Sequence, residues 1–235
     1  PAHFRGDFLR GGEILHWDVR RLGWHLTHCV ARRPEAYHEG LAELDATALH
    51  SIHDGVKVKD PAAIEGVFRY DRGLRVAAQD TVLWPSATRD DYANQRLATV
   101  GHAASWQAVD QHILMAMEGG FAPYEKRIEL GAGVSASYRF QEPARIFSEW
   151  NLSLPDGAAG EPPAFTLGPG TVAVEATGLH LCASHNAGDV WVQQLFSASN
   201  TEGGVELAPQ GWSIVFAADM DAPGTTLTIA WSAGG

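Results

Sequence analysis

Val134-Ser135-Ala136-Ser137-Tyr138-Arg139-Phe140 is the stretch that decides how this chain folds. Its apolar residues fall on every second position, so an extended strand would put Val134, Ala136, Tyr138 and Phe140 on one face and Ser135, Ser137 and Arg139 on the other. Leu227-Thr228-Ile229-Ala230-Trp231 repeats the pattern. Further strand-type runs surround these two: Lys126 to Leu130, Arg145 to Leu152, Thr171 to Glu175, Val190 to Phe196 and Gly211 to Ala217. Earlier in the chain come Glu13 to Asp18, Val56 to Lys59 and Val76 to Trp84. The 25 glycines and 12 prolines punctuate these runs at short intervals. The expectation is an all-β, antiparallel sandwich forming a single domain over residues 1–235, with Pro155 to Pro169 as a long internal loop. One helix is predicted, Pro34 to Leu44, with Pro34 at a tolerated first position and Tyr37, Leu41 and Leu44 on one face.

Composition narrows the function. Lys and Arg number 17 against 28 Asp and Glu, a formal charge of −11 and the wrong sign for tracking phosphate, so nucleic acid is not an expected partner. At 45% hydrophobic residues the chain can build a core, and no apolar run approaches the ~18 residues of a membrane-spanning helix, so no membrane partner is expected. Cys29 and Cys182 are too few and too far apart for a zinc site or a disulfide framework, and are read as small buried residues. The chain starts at Pro1 instead of Met, as a processed product or a piece of something longer would. Pro1 to Arg10 lacks the basic and then apolar pattern of a secretion signal, and a cytoplasmic location is expected.

Several polar clusters are candidates for chemistry. In Arg32-Arg33-Pro34-Glu35-Ala36-Tyr37-His38, a helical second part would put Glu35 and His38 on one face, as a metal or acid–base pair or as part of an ion network anchoring the helix. His50 and His53, ahead of the Asp54-Gly55 turn, would point to opposite faces of an extended segment, as would His25 and His28. Phe68-Arg69-Tyr70-Asp71-Arg72 suits sugar hydroxyls or a salt bridge equally. In Phe147-Ser148-Glu149-Trp150-Asn151-Leu152, alternation puts Glu149 and Asn151 on one face, a carboxylate and an amide side by side that suit a polyol. Of the eight tryptophans, Trp17, Trp150, Trp191 and Trp212 lie in strand-like runs where some would be exposed as stacking faces for sugar rings. No phosphate-cradling loop, dinucleotide fingerprint or nucleophile elbow is present, and no cofactor or metal is expected.

Taken in order, several strings resemble the C-terminal β-sandwich region of glycoside hydrolase family 57, of α-amylase and 4-α-glucanotransferase type. They are Gly11-Gly12-Glu13-Ile14-Leu15-His16-Trp17-Asp18, Arg32 to His38, Ser51-Ile52-His53-Asp54 with Val56 to Lys59, Tyr70-Asp71-Arg72 with Gln79-Asp80, Phe147 to Leu152, and Ser199 to Glu206. Three positions depart from the family pattern: His16 replaces an acidic residue, Asn200-Thr201 replaces Gln-Ser, and Trp191-Val192-Gln193-Gln194 lacks the proline of Trp-x-x-Pro. The resemblance implies a supersandwich of the galactose-mutarotase-like kind. The family's catalytic carboxylates lie in an N-terminal (β/α)7 barrel that this chain lacks, so none of them carries over.

The expected function is that of a module binding or presenting α-glucan, or another oligosaccharide, in the company of a catalytic barrel domain. Its substrate-binding candidates are Glu35, His38, His53, Asp54, Tyr70, Arg72, Glu149 and Asn151, with Trp17 and Trp150 as stacking platforms. The alternative is a stand-alone sugar-active enzyme, a glycosidase, glucanotransferase or mutarotase-like catalyst. Its acid–base groups would come from Glu149, His38, His53 and Glu202. A third reading is a structural brace for a barrel.

Overall fold

A computed structural model describes residues 2–7, 11–34, 70–71, 73–95, 102–156, 160–201 and 204–233. In chain order its strands are β1 (Ala2–Asp7), β2 (Glu13–Val19), β3 (Trp24–His25), β4 (Gln79–Leu83), β5 (His102–Val109), β6 (His112–Glu118), β7 (Tyr124–Leu130) and β8 (Val134–Phe140). There follow β9 (Ala144–Leu152), β10 (Ala164–Gly168), β11 (Thr171–Ala176), β12 (Leu179–His185), β13 (Asp189–Thr201), β14 (Gly204–Met220) and β15 (Thr226–Ala233). A short helix, α1, covers Arg89–Gln95. The strands form three antiparallel sheets, β1-β2-β3, β10-β11-β12-β15-β8-β7-β6-β5 and β13-β14-β9-β4.

The alternation at 134–140 is realised residue by residue. Val134, Ala136, Tyr138 and Phe140 are buried while Ser135, Ser137 and Arg139 are not. Its neighbours β7 and β15 bury Tyr124, Lys126 and Ile128 and Leu227, Ile229 and Trp231 on the same face. From the four-stranded sheet, Ile146, Trp150, Leu152, Ile214 and Phe216 meet them in one continuous core. Three tryptophans lock the sheets together: the ring of Trp17 on β2 lies 6.4 Å from Trp150 on β9 and 6.1 Å from Trp231 on β15, edge to face. Trp17 and Trp150 are therefore not stacking platforms for a ligand. At 1% and 0% exposure their rings are enclosed by the core.

One further expectation changes, and one falls on residues that the structure does not describe. The Pro155 to Pro169 break contains β10, an edge strand of the eight-stranded sheet. The helix expected over Pro34 to Leu44 lies, beyond Pro34, outside the described residues, as does the run Val56 to Lys59. Helix α1 has no apolar stripe to announce it. Its cue is the cap, in which Thr88 N and Oγ1 donate to Asp91 Oδ2 and Asp91 N donates back to Thr88 Oγ1.

One ion pair is sealed between the sheets. Lys126 Nζ donates to Asp80 Oδ2 at 2.6 Å and to the carbonyls of Gly11 and Ala78 at 2.8 and 2.7 Å, while Tyr124 donates to the same carboxylate at 3.1 Å. Burial pushes the Asp80 carboxyl above its usual range, against the pull of Lys126 and the two tyrosines Tyr138 and Tyr124. All three ammonium protons are used, and one of the acceptors is the carbonyl of Ala78, a non-glycine residue held at φ 58°. Replacing Lys126 by Met is expected to cost about 3–5 kcal/mol, because a carboxylate and two carbonyls stay buried without their donor. Urea unfolding measures this, and a loss below about 1 kcal/mol would show the pair to be dispensable.

Candidate functional site

Strand β9 is buried on both faces, and its outward face carries the polar site. Phe147, Glu149 and Asn151 point away from the core shared with the eight-stranded sheet. Opposite them in register lie Ala217, Val215 and Ser213 of β14, and Thr81 and Gln79 of β4. Tyr92 of α1 covers the apolar end of this face, packing with Leu83, Ala87, Phe147, Val215 and Ala217. Asp71 and residues 73–79 cover the polar end.

Glu149 and Asn151 share a face, as alternation requires. Glu149 Oε2 accepts from the Tyr92 hydroxyl at 2.8 Å and Oε1 accepts from Ser213 Oγ at 2.9 Å, with Arg75 Nη1 at 3.6 Å. Arg75 in turn grips Asp71 with two parallel bonds, Nε to Oδ2 at 2.6 Å and Nη2 to Oδ1 at 2.7 Å. Arg32 reaches the same carboxylate through its backbone N at 2.7 Å and its Nη2 at 3.2 Å. Of these four side chains only Arg32, at 21% exposure, meets solvent appreciably; Asp71, Arg75 and Glu149 are at 1 or 2%. Two guanidiniums and two carboxylates balance formally, which is what permits such burial.

The amides complete the network. Gln79 Nε2 donates to Glu13 Oε1 at 3.0 Å and to the Leu74 carbonyl at 2.8 Å; its Oε1 accepts from Val76 N and from Asn151 Nδ2. Asn151 Nδ2 also donates to the Val76 carbonyl at 3.0 Å. Both amide groups thus bond the irregular stretch 74–76, which no sheet ladder satisfies. Cys29, bridged to Arg75, lies at the edge of this network, and burial pushes its thiol up to about 12 in spite of Arg75. It is a free thiol, as is Cys182.

Arg32, from the first polar cluster, therefore joins Glu149 and Asn151 through Asp71 and Arg75. The residues that sequence reasoning missed are Arg75, Gln79, Ser213 and Tyr92; the available signal was a charge and an amide flanking the apolar run from Val76. Tyr70, 39% exposed, flanks Asp71 at the solvent end of the network. Glu35, His38, His53, Asp54, Arg72 and Glu202 lie outside the described residues. Among the described residues no group of three or more His, Cys, Asp or Glu is arranged to hold a metal ion.

The histidines of the small sheet depart from expectation. Strand β3 ends at His25 and a turn follows, so His28 is carried back to 5.6 Å from His25 instead of lying on the opposite face. On its other side His25 stacks on His16 at 4.8 Å, with Asp18 3.9 Å from its Nε2. Burial holds the His25 imidazole below its ordinary value of 6.5; Asp18 opposes this, and His16 and His28 reinforce it. The unfolded chain therefore takes up a proton at His25 more readily than the folded one. Its contribution to stability is present above pH 6.5 and is lost as pH falls through 6.5 toward the lower folded value. Melting curves between pH 7.5 and 5 are expected to show this fall, and His25→Gln to flatten it. An equal slope in the variant would refute the assignment. In the main network, Arg75→Leu is expected to cost about 3–5 kcal/mol in urea unfolding, because it strands Asp71 and Glu149 out of water. A neutral effect would mean that these carboxylates are not held by Arg75.

Comparison with known proteins places this architecture. The chain is 27% identical over 167 residues to the 4-α-glucanotransferase of Thermococcus kodakarensis, covering 66% of this chain and 25% of that protein. It is 30% identical over 82 residues to α-amylase 1 of Dictyoglomus thermophilum, covering 34% of this chain and 12% of that protein. The crystal structure of the 4-α-glucanotransferase of Thermococcus litoralis shares the fold over 98% of this chain and 36% of that one, with a TM-score of 0.70 at 20% identity. The chain thus spans a quarter or less of the curated relatives it matches. The family described as α-amylase/4-α-glucanotransferase, C-terminal, matches residues 5–165, the larger part of the sequence, and the chain belongs to that family.

Proposed function

We propose that this β-sandwich binds or presents α-glucan for a catalytic domain of the amylase and glucanotransferase type, and does not itself turn substrate over. The observation that carries this reading is the saturation of the Glu149 site. A general acid or base must reach the proton it transfers within about 2.6–3.2 Å. Glu149, 2% exposed, instead accepts from Tyr92 and Ser213 beside a guanidinium. A sugar hydroxyl would have to displace one of these bonds for a similar one, with little net gain. The network acts instead as a rigid support for the surface around it. Hydroxyl recognition belongs at its solvent end, at Arg32 and Tyr70. Glu35, His38, His53, Asp54 and Arg72 join this proposal on sequence alone.

The test is a titration of the purified chain with maltoheptaose beside analysis of the products. Affinity in the range of ~1 mM and no new oligosaccharides are expected, since an open face gains little per hydroxyl over water. Turnover that Glu149→Gln lowers by about 100-fold or more, the scale of a lost general acid or base, would replace this reading with the enzyme reading. Absence of any affinity would leave a structural brace.

A further inference from the structure

We propose that the outer edge of β13 is a dimer seam, at which the strand pairs antiparallel with β13 of a second copy of this chain across a two-fold axis. The inference stands apart from glucan binding. A sheet edge presents a row of backbone N–H and C=O groups, and proteins blunt such edges with charges, short strands, bulges or covering segments. The other described edges are blunted in these ways. Strand β1 carries Arg5 and Asp7, β3 has two residues and β10 has five. The Val82 carbonyl of β4 accepts from Phe121 N, and β5 bulges at Ala104, the residue left out of its register with β6.

Strand β13 has none of these devices. It is 13 residues long, and Val190 to Thr201 contains no charge, proline or glycine. Its one charge, Asp189, is the first residue and accepts from Arg145. The register with β14 shifts between Leu195 and Phe196, but the extra residue, Gln210, lies on β14, so the edge strand itself runs on regularly. Gly211 permits that bulge at φ 141°, where a Cβ would stand 2.7 Å from the Leu152 carbonyl oxygen and 2.8 Å from Cys29 Sγ. Among the described residues no backbone hydrogen bond leaves the outer edge of β13, and β10, which approaches it from the other sheet, makes none to it. Strand β9 follows β14 only from Trp212 onward, so toward the tip β13 and β14 form a ribbon with no third strand among those residues. A two-stranded ribbon alone is marginal in water.

Three features select a second copy as the occupant. The chain carries a formal charge of −11, so two copies repel each other least along a stretch free of charge, and Val190 to Thr201 is such a stretch. Gln193 and Gln194 lie within it, and an amide side chain, being both donor and acceptor, can bond its own kind across a two-fold axis. Pairing would also give each tip ribbon a third strand and join two four-stranded sheets into one. The seam would be roughly 40 Å long and bury on the order of 1,000 Å², near the lower limit for a stable interface, so a dissociation constant of about 10 μM is expected.

Sedimentation velocity of the purified chain from about 1 to about 200 μM, with hydrogen exchange read by mass spectrometry at both ends of that range, tests the seam. The mass is expected to rise from 25.3 kDa toward twice that value. Raising the salt to about 0.5 M should strengthen the dimer, because it screens repulsion between like-charged copies without touching the neutral seam. Amides of residues 190–201 should exchange about tenfold more slowly at the high concentration. Gln193→Lys and Gln193→Glu should each weaken the dimer by about tenfold or more, since a charge of either sign spoils an edge for pairing. A mass that stays at 25.3 kDa throughout, as when a strand of another domain takes this edge, overturns the proposal. So does a dimer that both folded variants leave intact, protection that falls outside residues 190–201, or growth beyond two copies, because a two-fold seam uses up the edge. Should the variants fail to fold, the exchange pattern of the wild type decides alone.

Discussion

Strand β9 has no solvent face, and that constraint organises the rest of the molecule. An alternating strand buried on both sides must match two unlike environments, so Ile146, Trp150 and Leu152 enter the apolar core while Phe147, Glu149 and Asn151 enter a second layer. The second layer cannot be apolar throughout, because a carboxylate taken out of water needs compensation. Arg75, Tyr92 and Ser213 supply it, and Asp71 and Arg32 balance Arg75 in turn. The irregular course of residues 73–78 follows from this requirement, since Asp71 and Arg75 must both be brought over β9.

The two layers contribute differently. Each core tryptophan removes some 150–250 Å² from water, worth roughly 4–6 kcal/mol at the usual transfer coefficient, so Trp17, Trp150 and Trp231 are the largest single contributors to the apolar core. The charged layer contributes close to nothing net, because desolvation consumes most of its Coulombic gain. Its effect is on specificity: removing one member is costly, so only one arrangement of β4, β9 and α1 satisfies all members together. The Lys126–Asp80 pair plays the same part between the sheets.

How much of this is legible in the sequence depends on whether a strand has a wet face. Alternation located β8 and β15 because each has one wet face, and it correctly paired Glu149 with Asn151. It could not say that the outward face of β9 is covered, since periodicity distinguishes two faces without naming what lies on them. Nor could it say which face of β2 and β9 meets the apolar core, and that is why Trp17 and Trp150 read as candidate platforms. Strand β5, with the run Ala103-Ala104-Ser105-Trp106, lacks a polar period and left no signal. The Asp71–Arg75 clamp is formed by non-helical backbone four residues apart, a geometry that sequence spacing does not encode. His28 was misplaced because the chain leaves β3 after two residues.

The thiol of Cys29 carries a consequence for watching this protein move. Thiolates, not thiols, react with alkylating reagents, and a group held at about 12 is almost wholly protonated at neutral pH. Cys29 is joined by a backbone bridge to Arg75, so its surroundings persist only while the layer over β9 is closed. Each transient separation of that layer would return the thiol to ordinary reactivity. Pulse alkylation resolved at Cys29, apart from the second free thiol Cys182, would therefore time local opening of that layer without an introduced cysteine.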